Sequence, residues 1–365
     1  MSVLKQGLNA RQSNIELLRI FAMVMIIAHH IGVHSNFDLC AQMPVMNKLW
    51  IQFVQMGGKI GVDIFVLISG YFLITAKSLK LSKVAKLWLQ LCTYSVGLYV
   101  AFAFFNGFSV WGLLGRFSPV INSSWWFANT YFIMFILSPF INIGLNALGQ
   151  KNHLRALLVM TVLWSVIPTF GSNRMESNSL IWFVYLYALA GYIRLYVDLK
   201  QIKSKTWFAV AGAATILTYL LAVGLDLLGV ESVFNAHSSD YFFDMQRLPI
   251  LLISLALLLA FLGKDMGCSA GINVIASATF GVYLLHDYGD MRPALWQWLF
   301  RNETYQDSLW LIPYTILQMV LVFAGCAAIE LLRIYLIEKR YMKHMDRLIE
   351  KARAAAKKLL KKNAG

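Results

Sequence analysis

The sequence predicts an all-α polytopic membrane protein, a bundle of about ten transmembrane helices with both termini in the cytoplasm. Of its 365 residues, 59% are hydrophobic and only 14% are charged, and the mean hydropathy is +0.61. Long apolar segments recur along the chain, and basic residues concentrate in every second loop between them. A soluble globular domain of this length does not have such a composition.

The predicted helices follow from apolar segments that match the roughly 17 to 25 residues needed to cross a bilayer. Ten such segments are found, at approximately 15–34, 58–76, 84–105, 126–147, 154–170, 179–197, 206–228, 248–263, 270–288 and 309–337. We therefore expect residues 1–338 to form one membrane domain. Residues 339–365 follow it as a separate basic tail.

The loop charges predict the orientation. Residues 77–86, 148–155 and 194–205 are rich in Lys and Arg, whereas the intervening loops balance one or two basic residues with acids. Alternate Lys/Arg-rich loops are typical of the cytoplasmic side. The net charge of +14 is thus explained by membrane topology, and no nucleic-acid partner is indicated.

The tail carries ten Lys and Arg residues between Lys339 and Lys362, with Met342, Met345, Ile349 and Leu359 at roughly helical spacing. This pattern favours a cytoplasmic helix that lies on the inner leaflet and is held partly by anionic membrane lipids.

The first predicted span carries ionisable residues, which are costly inside a membrane and usually face the protein interior. Arg19 and His30 are eleven residues apart, so on a helix they differ by only ~20° in azimuth and lie ~16 Å apart along the axis. Glu16 lies one turn below Arg19, near the same line. Three polar groups therefore share one stripe of this helix.

Asp63, in the second span, is predicted to lie at the same depth as His30. A carboxylate that accepts a hydrogen bond from one imidazole nitrogen raises the basicity of the other, as proton abstraction from a hydroxyl requires. A structural His–Asp pair between two helices explains the same two residues equally well.

Lys83 and Lys86 begin the third span at positions i and i+3 and share a face with each other. Together with Arg19 they would suit a ligand that carries several phosphates. The alternative is that the two lysines are inner-leaflet anchors.

Further polar and aromatic groups lie near the predicted outer surface. Trp125 and Trp126 begin the fourth span, as an aromatic belt or as a surface for sugar stacking. His286 and Asp287 lie near the outer end of the ninth span, with Arg292 just beyond it, as a second polar layer of the site or as interfacial hydrogen-bonding groups. No metal site is indicated, because the four cysteines are scattered and form no Cys/His cluster.

Ser69 lies in the sequence LISGY and is not part of the G-x-S-x-G pattern of a nucleophilic serine. A hydrogen bond from its hydroxyl to the backbone is a sufficient explanation.

These segments together resemble the acyltransferase-3 family of integral membrane O-acyltransferases. The resemblance is carried by Glu16-x-x-Arg19, by Arg19-x10-His30, by GVDIFVLISGY (61–71), by the basic pair of the third span, by the WWF…LSPF segment (125–140) and by FGVYLLHD (280–287). It is closest to members that O-acetylate bacterial surface or exported polysaccharides.

The resemblance implies transfer of an acyl group from cytoplasmic acyl-CoA, usually acetyl-CoA, to a hydroxyl of a glycan or lipid-linked saccharide, in the cell inner (cytoplasmic) membrane. It implies that His30 is catalytic with Asp63 as its orienting partner, and that Arg19, Lys83 and Lys86 bind the cofactor. A transporter or flippase for a lipid-linked saccharide is the alternative class, although no inverted repeat is found.

Overall fold

The computed structural model describes residues 12–39, 43–122, 124–171, 173–230, 232–233, 236–237 and 240–363. Twelve α-helices account for most of them: α1 Ser13–His34, α2 Val45–Leu73, α3 Leu81–Asn106, α4 Val110–Arg116, α5 Trp126–Thr161, α6 Ser179–Tyr196, α7 Ser204–Leu227, α8 Leu248–Leu262, α9 Ala270–Ser277, α10 Thr279–His286, α11 Leu311–Arg333 and α12 Lys339–Asn363.

Short elements connect or extend these helices. A two-residue antiparallel pair joins β1 Ser232–Val233 to β2 Ala236–His237. Three-residue helical turns lie at Ile167–Thr169 and Met291–Pro293, 3₁₀ turns at Leu199–Gln201, Tyr241–Phe243 and Asn302–Tyr305, and π-helical segments at Val162–Val166, Ala294–Leu299 and Ile334–Glu338.

The predicted all-α membrane bundle is confirmed. Within the described residues, seven helical runs are long and apolar enough to cross a membrane, and two shorter apolar runs lie at Leu248–Leu262 and Ala270–His286. One run, Trp126–Thr169, covers two predicted spans, which are separated where Gly149 leaves the helical conformation with φ 66°. All ten predicted spans thus coincide with helices.

The helix that contains the second predicted span begins thirteen residues before the predicted start of that span at residue 58. The α2 helix begins at Val45 and its polar first turns are held by specific hydrogen bonds. The Asn47 amide donates to the backbone carbonyls of Gln306 and Ser308 at 2.7 and 2.9 Å, and the Gln52 amide donates to Asp226 at 3.2 Å. Hydropathy cannot detect a helix that tertiary hydrogen bonds stabilise.

The bundle is organised around the α1–α2 pair, the most extensive helix contact in the fold. Glycines permit the close approach, as small residues do in membrane helix pairs. A Cβ on Gly61 would lie 2.6 Å from the carbonyl oxygen of Ala22, and one on Gly58 would lie 2.3 Å from the His29 ring. Of the most apolar 18-residue stretch of α2, 72% of the residues are buried, whereas in the corresponding stretch of α7 only 22% are buried. The α2 helix is therefore central, whereas α7 is peripheral.

A buried ionic network joins α3, α11 and α12. The Arg333 guanidinium donates to Glu330 at 2.6 and 2.9 Å and to Glu338 at 2.5 Å. Glu330 also accepts from Gln90 of α3 at 2.9 Å and from Tyr94. The tail helix predicted from the sequence is thus present, and this network fixes its first turns against α3.

Candidate active site

The ends of α1 and α10 meet at two histidines. His30 lies near the end of α1, and His286 is the last residue of α10. The Nδ1 atom of His30 lies 2.9 Å from the Nε2 atom of His286. The start of α1 is anchored separately, because the Asn14 amide donates to the carbonyl of Phe261 at 2.8 Å. These contacts fix the position of the His30 ring.

The hydrogen bonds also determine the tautomers of the two imidazoles. The Nδ1 atom of His286 lies 2.6 Å from the carbonyl oxygen of Val282, and a carbonyl can only accept. Neutral His286 therefore carries its proton on Nδ1 and accepts at Nε2 from the Nδ1–H of His30. This leaves the unprotonated nitrogen of His30 at Nε2, where it can act as a base.

Asp287 supplies the carboxylate next to that base. Its Oδ1 atom lies 3.5 Å from Nε2 of His30 and 3.9 Å from Nε2 of His34. The Arg292 Nε atom donates to the same oxygen at 2.8 Å, which fixes the carboxylate and offsets part of its charge. Asp287 itself is only 1% exposed. A proton taken up at Nε2 of His30 would therefore face an oriented negative charge.

The structure does not place Asp63 against His30, and the expected His30–Asp63 pair is wrong in its geometry. The fully buried Asp63 carboxylate accepts instead from the indole Nε1–H of Trp182 in α6, at 3.0 Å. Its second oxygen has no hydrogen-bond partner among the described residues. The sequence predicts that Asp63 and His30 lie at a similar depth in the membrane. The α2 helix, however, is rotated about its axis so that Asp63 faces α6.

Two buried donors without partners pack on each other beyond the end of α10, where Tyr288 directly follows Asp287 in the chain. The indole nitrogen of Trp125 and the hydroxyl of Tyr288 make no hydrogen bond within the described part of the chain. Their ring centroids are 5.7 Å apart, and Trp125 is only 2% exposed. Trp125 is therefore part of the interior, in contrast to the aromatic belt considered for it. Such donors can stabilise negative charge that develops during a reaction.

A cavity of about 220 Å³, which we call the inner cavity, lies towards the start of α1. Its walls include Arg19, Ser69, Tyr131 and Phe127, and Phe127 packs on Tyr283 with ring centroids 5.4 Å apart. Since the Tyr283 ring is in turn 6.4 Å from that of His286, aromatic contacts link this inner cavity to the histidine pair.

Two predicted residues at the inner cavity have local partners. The buried Glu16 lies 3.4 Å from the Arg19 guanidinium. Ser69 donates to the backbone carbonyl of Phe65 at 2.8 Å, the bond expected from the sequence, and also lies 3.2 Å from the Tyr131 hydroxyl.

The two lysines at the start of α3 differ in their contacts. The Lys86 ammonium lies 2.6 Å from Glu338, so its charge is already compensated by the carboxylate directly before the tail. Lys83 is exposed. Sequence inspection could not assign Lys86 to Glu338, because the two residues are more than 250 positions apart.

A larger cavity of about 740 Å³ lies towards the other end of α1. Its walls include His29 and Val33 of α1, Lys59 of α2 and Trp126 of α5. The Lys59 ammonium lies 4.8 Å from the centre of the Trp126 ring. Lys59 was missed in the sequence, although a lysine in an apolar span is itself a signal of function.

His30, His34 and Asp287 also form a group of potential metal ligands, since one donor atom from each lies within 4.8 Å of the others. The Arg292 guanidinium on the Asp287 carboxylate opposes a second positive charge at that point. The sequence-based expectation of no metal thus remains a prediction.

A helical membrane bundle that holds a histidine against an oriented carboxylate, with a cavity towards each end of the same helix, is the arrangement expected of a membrane-embedded enzyme. The acyltransferase-3 family model, described as an acyltransferase domain, matches residues 12–331. The chain belongs to this family and is a multi-pass membrane acyltransferase. No curated protein and no solved structure was found to match it.

Proposed function

We propose that the protein is an O-acetyltransferase that moves an acetyl group from cytoplasmic acetyl-CoA to a hydroxyl of an exported polysaccharide or its lipid-linked precursor. The observation that carries the proposal is the His286–His30 hydrogen bond, because it leaves Nε2 of His30 unprotonated beside the Asp287 carboxylate. Family membership favours this function over the flippase alternative.

The donor is proposed to enter at the inner cavity. Arg19 supplies a guanidinium for the CoA phosphates, and the exposed Lys83 at the start of α3 is the proposed second cation. Arg19 and His30 are ~16 Å apart along α1, a distance that an extended pantetheine arm can bridge. On this proposal the donor side and both chain termini lie in the cytoplasm, and the protein lies in the inner membrane.

The acceptor is proposed to enter through the larger cavity. Nε2 of His30 takes the proton of the acceptor hydroxyl while the oxygen attacks the thioester carbonyl. Trp125 and Tyr288 are the candidate donors to the oxyanion, and Asp287 stabilises the imidazolium. The C–S bond then breaks, and the thiolate takes the proton from His30, so that the ester and free CoA are formed. An acetyl-histidine intermediate is the alternative route.

The test is thiol release from acetyl-CoA by protein in lipid nanodiscs, measured with and without glycan of the source organism. We expect glycan-dependent release and an acetylated glycan, both lost in His30→Gln. The exposed His344 provides the control variant His344→Gln, which should retain full activity. A His30→Gln variant with normal glycan acetylation would contradict the proposal.

A further inference from the structure

The larger cavity contains a cation that forms no ion pair with any carboxylate of the described residues. Lys59 projects into it from α2, a central helix of the bundle. Among the described residues, no carboxylate oxygen lies within 4.0 Å of the Lys59 ammonium, the distance that defines an ion pair. Its contact is the face of Trp126, at 4.8 Å from the ring centre.

The other two cations of this cavity are fixed by protein groups. Arg174 forms an ion pair with Asp244. The Arg247 guanidinium donates to the backbone carbonyls of Tyr241 and Gly171 at 3.2 and 3.3 Å and lies 4.0 Å from the centre of the Tyr241 ring. Both arginines therefore hold the cavity wall, whereas Lys59 remains available to a ligand.

An uncompensated lysine in an apolar helix is energetically costly, and an aromatic face offsets only part of the cost. A ligand that brings a negative charge would offset the remainder. We propose that the larger cavity binds an acceptor saccharide that carries an anionic group, recognised by Lys59 while a sugar ring stacks on Trp126. This inference rests on the proposed acetyltransferase function.

The volume and position of the cavity agree with such a ligand. A volume of about 740 Å³ is within the range of cavities that enclose small organic ligands and accommodates a disaccharide. His29, which lines the cavity, directly precedes His30 in the chain. The anionic group is either a carboxylate of the sugar or a phosphate of a lipid carrier.

The experiment measures binding in nanodiscs without acyl-CoA, so that it does not depend on catalysis. The probes are cellobiuronic acid and cellobiose, which differ by one carboxylate, and inorganic pyrophosphate. We expect an anionic probe to bind the wild type about tenfold more tightly than cellobiose, the effect of one charge-assisted hydrogen bond. Lys59→Met should abolish the difference, and Lys59→Arg should retain part of it.

Lys48→Met is the matched control, because Lys48 is on the same helix but is paired with Asp226 at 2.8 Å; it should leave the preference unchanged. A Lys59-dependent preference for cellobiuronic acid identifies a sugar carboxylate, and one for pyrophosphate alone identifies a carrier phosphate. Equal affinity for all three probes, or a preference that survives in a folded Lys59→Met protein, would overturn the inference. Thiol release from acetyl-CoA by the wild type is measured in a separate assay. Loss of that activity would contradict the proposed acetyltransferase function, whereas the binding assay tests only the anionic acceptor.

Discussion

His30 donates a hydrogen bond from Nδ1 to Nε2 of His286 over 2.9 Å, across 256 positions of sequence. The bond orients the His30 ring and leaves its Nε2 atom free to accept a proton. In many enzymes a carboxylate performs this orienting role. Here a second imidazole, itself fixed by the carbonyl of Val282 at 2.6 Å, performs it.

Replacement of His286 tests this relationship. His286→Ala should lower kcat by roughly 10²-fold, the low end of the range for general-base assistance, because His30 loses its orienting acceptor. His286→Gln should be milder, since an amide oxygen can still accept from His30. Turnover of acetyl-CoA with glycan is the measurement, and wild-type turnover in His286→Ala would contradict the assigned tautomers.

The two carboxylates near the site should differ in importance. Asp287→Asn removes the charge that faces Nε2 of His30 and should lower kcat by about tenfold or more. Asp63→Asn retains an oxygen for the Trp182 indole and should cost clearly less. Measurement of kcat for both purified variants shows which carboxylate contributes more to turnover. A larger loss for Asp63→Asn would contradict the assignment of Asp287 as the carboxylate that assists His30.

The cations predicted to bind the donor should separate into binding and structural roles. Arg19→Gln should raise the KM for acetyl-CoA by about tenfold with a smaller change in kcat, because contacts remote from the thioester bind ground and transition states alike. Lys86→Gln breaks the pair with Glu338 and should instead lower the thermal stability. Steady-state kinetics combined with unfolding curves test both. An unchanged KM in Arg19→Gln would exclude its role in donor binding.

The close contact of α1 and α2 should be sensitive to one methyl group. Gly58→Ala places a Cβ 2.3 Å from the His29 ring, next to His30, the proposed catalytic base. Overpacking of this kind costs about 1–3 kcal/mol, so we expect a lower unfolding temperature and reduced turnover. Gly97→Ala in α3 is the control, because a Cβ there meets nothing within 4 Å. Equal behaviour of the two variants would show that the helix pair can relax.

Cysteine labelling tests the orientation. In a variant without the four native cysteines, cysteines at Ser78 and Lys203 should be protected from an impermeant thiol reagent added to intact cells. A cysteine at Asp307 should react. All three positions are exposed, so access is decided by the membrane alone. Labelling at Ser78 would reverse the topology and the proposed side of donor entry.

The sequence by itself determined the class of fold, the ten apolar segments and the polar stripe of α1. Hydropathy, alternate loop charge and helical azimuth are properties of local sequence, so they can be read without knowledge of the neighbouring helices. His30, Arg19, Asp287 and Arg292 were identified as candidates for the same reason: each is an ionisable group within or directly beside an apolar segment.

Only the tertiary structure decided which candidates meet. Two residues at equal depth make contact only if both helices are rotated towards each other, and local sequence does not fix that rotation. Packing of α2 against α6 directs Asp63 to Trp182, and the approach of α10 to α1 brings Asp287 to His30. The same long-range packing pairs Lys86 with the tail and leaves Lys59 in the larger cavity beside Trp126.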